Sequence, residues 1–141
     1  KVYLATSQVF DGEMADRVAL HRARRGERWH LVEEPVALAK TLEENASGSR
    51  AILVDCLTLW VTNLMMAERP TAIEADRLVD VIQTLPGTIV FVSNEVGLGI
   101  VPDNAMARAF RDHAGLLHQA VAAVADEVYF VAAGLPLKMK G

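Results

Sequence analysis

The sequence is poor in cysteine, and it has neither a long apolar run nor a large excess of one charge. Cys56 is the one cysteine among 141 residues, which excludes an internal disulfide and favours a reducing compartment. No stretch approaches the roughly 18–20 apolar residues of a membrane-spanning helix, so we expect no membrane span and a cytoplasmic protein. The net charge of −4 and the 23% of charged residues argue against disorder and against nucleic-acid binding through bulk charge.

Two common kinds of catalytic site are also missing from the sequence pattern. No Cys/His cluster has the spacing of a zinc site, and His113 and His118 lie five residues apart on a predicted helix, which does not give the usual metal-binding face. No Ser-His-Asp set can be assembled. The chemistry is therefore to be sought at strand ends and on charged helix faces.

Apolar runs alternate with helical patterns along the chain. With 52% hydrophobic residues, we expect one globular domain over residues 1–141. The predicted strands are residues 1–6, 30–35, 51–56, 88–93 and 127–133, with 134–140 trailing. The predicted helices are 12–25 after an N-cap at Asp11 and before Gly26, 35–45 opened by Pro35, 57–68, 72–85 and 104–125. Strands buried on both faces, alternating with helices, predict an α/β fold with a mostly parallel sheet flanked by helices and closed by 127–133.

Polar residues follow several predicted strands, where ligands bind in open parallel sheets. The first strand ends in Thr6, Ser7 and Gln8, which can donate hydrogen bonds to an anion, although an ordinary polar loop explains them too. The third ends in Asp55, which is either a carboxylate that holds Mg²⁺, as in phosphate-handling domains, or a helix N-cap. The fourth ends in residues 93–95 before a Gly-x-Gly loop, and a flexible turn is the alternative there.

Half of the chain's arginines fall in residues 16–29, around a single histidine, His21. The five are Arg17, Arg22, Arg24, Arg25 and Arg28. Like charges on one helix face repel one another unless an anion neutralises them, and arginine is suited to binding phosphate through two hydrogen bonds. A neutral imidazole can act as a nucleophile. The window predicts a phosphate site with a histidine nucleophile, and a solvated basic face with an incidental histidine is the alternative.

Five stretches, spread over nearly the whole chain, are similar to one enzyme family. They are ATSQVFDGEMADRVALHRARRGERW, VEEP, ILVDCLTLWVTNL, VSNEVGLGIVPDNAMARAFRDHAG and ADEVYFVAAGLPLKMK. In this order they resemble the bifunctional adenosylcobinamide kinase / adenosylcobinamide-phosphate guanylyltransferase family of cobalamin biosynthesis. The SNEVGxGIVP block followed by ARxFRD is the most specific part of the resemblance.

The resemblance implies a RecA-like, P-loop-type sheet and two reactions. In one reaction, a nucleoside triphosphate such as ATP or GTP phosphorylates the hydroxyl of the aminopropanol arm of adenosylcobinamide. In the other, GMP passes from GTP to that phosphate through a histidine–GMP phosphoramidate. Mg²⁺ is implied as cofactor and a homotrimer as assembly. The helix LTLWVTNLMM either supplies the subunit contact or buries Trp60 and both methionines in the core.

Most of the family's functional positions fall at the strand ends and in the arginine window described above, and Glu33 is implied by the resemblance alone. The resemblance implies that His21 is the nucleophile and that Asp55 holds Mg²⁺. The implied contacts to the guanine nucleotide are Thr6, Ser7, Gln8, Arg22, Ala23, Arg24, Arg25, Glu33 and Asp55.

The sequence departs from the family pattern in three places. In the family, a strand and a GxxxxGKS loop precede the equivalent of Lys1. Because KVYLATS already reads as the middle of a strand, we expect that segment to lie upstream of Lys1. We therefore expect these 141 residues to be incomplete for activity. The alternative is a nucleotide-binding or assembly module with no P-loop and no catalysis. Gly26 stands where the family usually has Pro, and His118 where it usually has Asn.

Overall fold

A four-stranded parallel sheet is the centre of the structure, a computed structural model that describes residues 1–8 and 11–141. The strands are β1 (Val2–Ala5), β2 (His30–Glu33), β3 (Ala51–Asp55) and β4 (Thr88–Val92). They lie in the order β2-β1-β3-β4, and every pair is parallel. Ala5 lies opposite both Glu33 and Asp55, so the carboxyl ends of the first three strands coincide at one edge.

Within the described residues, five helices connect or follow these strands. They are α1 (Gly12–Arg25), α2 (Leu38–Asn45), α3 (Leu57–Met66), α4 (Thr71–Ile82) and α5 (Ala105–Val124). The predicted bounds of α1 are confirmed: Asp11 Oδ1 accepts a hydrogen bond from the Met14 backbone N–H at 2.8 Å, and Gly26 follows the helix with φ 68°. Proline cannot adopt that φ, so the departure at Gly26 suits the way this helix ends.

The core lies on one face of the sheet, beneath α2 to α5. Alternate strand residues point into it, with Leu4 and Val54 fully buried. The helices contribute Leu38, Leu42, Leu57, Trp60, Val61, Leu64, Leu78, Leu117 and Val121. Each fully buried side chain of this kind stabilises the fold by about 1.5–3 kcal/mol, so this layer holds the sheet in place.

The opposite face of the sheet is less covered than the sequence predicts. Strands buried on both faces were expected, but in β4 the side chains of Val90 and Val92 are 49% and 42% exposed. Their neighbours Ile89 and Phe91 point to the core face and are partly buried. The expectation is therefore wrong for β4, because the helices that form the core pack on one side of this strand only.

Helix α2 begins three residues after the predicted start at Pro35. Glu34 Oε1 accepts hydrogen bonds from the backbone N–H groups of Val36 and Ala37, at 2.9 and 2.8 Å. The indole N–H of Trp60 donates to the Val36 carbonyl at 2.8 Å. These bonds satisfy the backbone in a turn, so the helix begins only after it.

The C-terminal strand does not close the parallel sheet, and that prediction is wrong. β5 (Val128–Ala132) pairs antiparallel with β6 (Leu135–Lys140) in a separate two-stranded sheet. The connecting Ala133 and Gly134 have φ values of 51° and 72°, the pattern of a two-residue turn that joins the strands of a hairpin. The residues predicted to trail thus form the second strand of this hairpin. The α/β class with a mostly parallel sheet flanked by helices is confirmed.

Candidate active site

The carboxyl edge of the sheet brings several predicted site residues together. Glu33 ends β2, Asp55 ends β3, and both lie opposite Ala5 at the end of β1. Thr6, Ser7 and Gln8 leave the sheet at the same edge, directly after β1. The parallel pairing explains the convergence, since parallel strands in register end side by side. This edge is the candidate site.

Thr6 uses its polar groups to join the ends of β1 and β3. It is fully buried, its hydroxyl donates to the Cys56 carbonyl at 2.7 Å, and the Cys56 N–H donates back to the hydroxyl at 2.9 Å. The Thr6 N–H donates to the Asp55 carbonyl at 3.0 Å. The contacts of Thr6 are therefore structural ones, and its contact with a nucleotide stays a prediction. Ser7 and Gln8, next in the chain, are partly exposed.

Asn63 supports the same edge, and sequence reasoning missed it. Its side-chain amide donates to the carbonyl of Thr6 at 2.6 Å and to that of Pro35 at 2.9 Å. The residue is only 4% exposed. An amide within the otherwise apolar helix LTLWVTNLMM was the available signal, because a buried polar side chain needs hydrogen-bond partners.

Tyr3 connects Asp55 to the arginine window. Its hydroxyl donates a hydrogen bond to Asp55 Oδ2, and the guanidinium carbon of Arg25 lies 3.7 Å from the centre of its ring. The ring of Trp29 meets that of Tyr3 edge-on, with centres 6.2 Å apart. Burial, reinforced by the bond to Asp55, raises the pKa of Tyr3 well above its usual value, so the phenol stays protonated and acts as the donor.

Three of the five arginines in the window have partners within the protein, which lowers the repulsion between their charges. Arg17 pairs with Glu13 at 2.6 Å, one turn earlier on the same helix. Arg22 lies 3.6 Å from Glu33 at the end of β2, and Arg25 lies on Tyr3. The structure thus brings two of the predicted nucleotide-binding arginines to the sheet edge.

His21, Ala23 and Arg24 are exposed on α1, on the stretch that also carries Arg22 and Arg25. The Nε–H of Arg25 donates to the backbone carbonyl of His21 at 3.2 Å. An exposed imidazole beside exposed guanidinium groups is accessible to a ligand, and cations there would stabilise charge on a phosphoryl group.

Asp55 offers a single carboxylate at this strand end, and its role as a Mg²⁺ ligand stays a prediction. The N-cap residue of α3 is Cys56, so the alternative role of Asp55 as that helix's N-cap is not what the structure has. Across residues 1–8 and 11–141, no three His, Cys, Asp or Glu side chains gather as a metal site. Mg²⁺ is commonly bound through one or two carboxylates plus substrate phosphates, and Asp55 can supply one such carboxylate.

His118, one of the departures from the family pattern, holds the end of β4. Its Nε2 lies 2.5 Å from the Ser93 hydroxyl. Burial lowers the pKa of His118, and the charge of Glu95 opposes this shift in part. The following Asn94 donates to the Thr58 hydroxyl at 3.2 Å, which ties this strand end to α3.

A cavity of about 290 Å³ lies between α3, α4 and α5, away from the strand-end residues. Its lining includes Trp60, Leu64 and Leu117 together with His113, whose Nδ1 bonds the Thr71 hydroxyl at 2.9 Å. None of the predicted site residues lines it.

Trp60 is 1% exposed and so belongs to the core, whereas Met66 is 64% exposed. In the part of the chain described, every helix is too short or too polar to cross a membrane.

Known proteins resemble this chain along nearly its whole length. The family described as cobinamide kinase / cobinamide phosphate guanyltransferase matches residues 1–139. The bifunctional adenosylcobalamin biosynthesis protein CobP of Pseudomonas aeruginosa is 50% identical over 141 residues, which cover 99% of this chain and 82% of that protein. The bifunctional adenosylcobalamin biosynthesis proteins CobU of Escherichia coli and Salmonella typhimurium are 37% and 39% identical, with 99% of this chain and 85% of each relative covered. These matches confirm the resemblance read from the sequence motifs: the chain belongs to the cobinamide kinase / cobinamide phosphate guanyltransferase family.

Proposed function

We propose that this protein phosphorylates adenosylcobinamide and transfers GMP from GTP to the resulting phosphate, with His21 as covalent nucleophile. The observation that carries the proposal is the meeting of α1 with the carboxyl edge of the sheet, where Arg22 reaches Glu33 and Arg25 reaches Tyr3 beside Asp55. The family description names both reactions, which supports the choice of substrates.

The guanylyl transfer proceeds in two displacements at one phosphorus atom. A nitrogen lone pair of neutral His21 attacks the α-phosphorus of GTP, a P–N bond forms, and pyrophosphate leaves with the electrons of the broken P–O bond. The other ring nitrogen keeps its proton. A phosphate oxygen of adenosylcobinamide phosphate then attacks the same phosphorus and the P–N bond breaks. His21 is regenerated, and a diphosphate links guanosine to the cobinamide arm.

The other predicted residues bind and orient the nucleotide in this proposal. The guanidinium groups of Arg22 and Arg24 neutralise charge that develops on the phosphates. The remaining contacts proposed for the nucleotide are Thr6, Ser7, Gln8, Ala23 and Glu33. Asp55 would hold Mg²⁺, which supplies charge neutralisation on the triphosphate when bound. A nucleoside triphosphate, ATP or GTP, serves as phosphate donor for the kinase step. The homotrimer and the cytoplasmic location stay predictions.

Product analysis tests this proposal. The protein expressed from its gene is incubated with adenosylcobinamide, ATP, GTP and Mg²⁺. The corrinoid products are then separated and identified by mass spectrometry. We expect the phosphate first and the guanosine diphosphate conjugate second. The His21→Gln variant should stop at the phosphate, because only the second reaction uses the imidazole. Conjugate formed by His21→Gln at the wild-type rate would contradict the role of His21.

A further inference from the structure

We propose that Tyr3 and Arg25 are positioning residues: together they fix the helix that carries His21 on the sheet, and Arg25 anchors this helix instead of binding phosphate. What the pair positions, His21 as nucleophile, rests on the proposed function. The anchoring itself rests on the contacts of α1 alone.

Helix α1 has little apolar packing to hold it. None of its residues is buried, and Met14, Val18 and Arg25 are only partly so. Of the polar contacts it makes, that of Arg17 stays within the helix. The ion pair of Arg22 with Glu33 spans 3.6 Å between two side chains that are more than half exposed, and such pairs are weak.

The contact between Arg25 and Tyr3 is the better anchor. A guanidinium 3.7 Å from a ring centre has the spacing of a close stack, and arginine suits this geometry because it is planar and weakly hydrated. The ring is itself held, since Tyr3 is 6% exposed, meets Trp29 edge-on and donates to Asp55. Arg25 thus rests on a rigid platform.

The same two side chains form a continuous connection between the proposed nucleophile and the proposed Mg²⁺ ligand. Arg25 Nε donates to the His21 carbonyl, Arg25 stacks on Tyr3, and Tyr3 donates to Asp55. With one face and one N–H engaged, Arg25 has less to offer a phosphate than the exposed Arg24. The geometry therefore separates the arginines into an anchor and phosphate ligands.

Hydrogen exchange of the backbone amides, without nucleotide, tests the anchoring. In Arg25→Ala, and in Tyr3→Leu, we expect the amides of α1 to exchange about tenfold faster or more, while those of β1 and β3 in Arg25→Ala keep wild-type rates. Tyr3→Phe keeps the ring and should leave α1 at its wild-type rate. Arg17→Ala is the matched control, because it removes one arginine of the same helix whose ion pair, with Glu13, stays within that helix. Unchanged α1 exchange in Arg25→Ala would overturn the proposal, even if Tyr3→Leu failed to fold.

A second measurement separates anchoring from phosphate binding. In the transfer of label from GTP to the protein, Arg25→Ala should lower the maximal rate about tenfold or more at saturating GTP, with a small change in KM, because His21 is misplaced. A raised KM with an unchanged maximal rate would identify a phosphate ligand and overturn the proposal. If wild-type protein takes up no label, the proposed function fails, and the exchange experiment still decides the anchoring.

Discussion

Tyr3 is the residue through which the sheet and the candidate site are most closely coupled. Its phenol donates to Asp55 and its ring stacks against Arg25, so one side chain contacts both a carboxylate and a guanidinium. The bond from Tyr3 engages one of the two carboxylate oxygens of Asp55. The hydroxyl that contacts Asp55 and the ring that contacts Arg25 can therefore be removed by separate substitutions.

Replacing Tyr3 by Phe removes the hydroxyl and keeps the ring. We expect guanylylation of the protein to need a several-fold higher Mg²⁺ concentration, because Asp55 loses the donor that orients it, and unfolding to become easier by about 1 kcal/mol. A Mg²⁺ titration of label formation and urea denaturation measure the two effects. Tyr129→Phe, in the hairpin, removes the other tyrosine hydroxyl and should leave the Mg²⁺ dependence unchanged. An unshifted Mg²⁺ curve in Tyr3→Phe would show that Tyr3 does not orient Asp55.

His118 makes the stability of the fold depend on pH. Because burial lowers the pKa of His118 in the folded protein, the unfolded chain takes up the proton first as pH falls below about 6.5. The neutral imidazole therefore makes its full contribution to the free energy of unfolding above that pH. The contribution is lost as the pH falls from there through the lower pKa that His118 has in the folded protein. The loss of melting temperature between pH 7.5 and pH 5.5 should be smaller in His118→Asn than in wild type. Equal losses in both proteins would contradict this assignment.

At the scale of elements, the bounds of helix α1 are set by the residues at its two ends, because none of its residues is buried. Its start and its end could be predicted from the sequence because Asp11 and Gly26 act locally. The start of α2 could not, since Glu34 caps a turn whose other partner, Trp60, comes from a distant helix. The hairpin was not predicted because its turn requires a positive φ at Ala133, and alanine rarely adopts that conformation.

Loss of the α1 N-cap should destabilise this helix and leave the stability of the whole protein nearly unchanged. Asp11→Ala is expected to weaken the helix by about 1 kcal/mol, because the Met14 N–H loses its acceptor. No residue of α1 is buried, so the melting temperature should change little while the α1 amides exchange faster. Hydrogen exchange read helix by helix checks this, with the exposed mid-helix change Asp16→Ala as control. A large fall in melting temperature with uniform exchange would contradict the picture of a separately anchored helix.

For the whole molecule, the parallel sheet explains why residues far apart in sequence form one edge. The position of Asp55 at a strand end could be predicted from an apolar run followed by a polar residue, whereas Glu33 was implied by the family resemblance alone. The buried hydrogen bonds of Asn63 and the stack of Arg25 on Tyr3 could not, because they join residues whose proximity only the sheet order creates. One face of β4 is also partly exposed, with Val90 and Val92 49% and 42% accessible, and the apolar run in the sequence did not predict this.

The central claim is that GMP passes through His21, and labelling of the protein tests it most directly. The protein expressed from its gene is incubated with Mg²⁺ and GTP labelled at the α-phosphorus, and the protein-bound label is followed in acid and in alkali. We predict a label that acid removes and alkali does not, on wild type and on His30→Gln, and none on His21→Gln. Acid-labile, alkali-stable label that survives His21→Gln, or a wild-type protein that takes up none, would contradict the account.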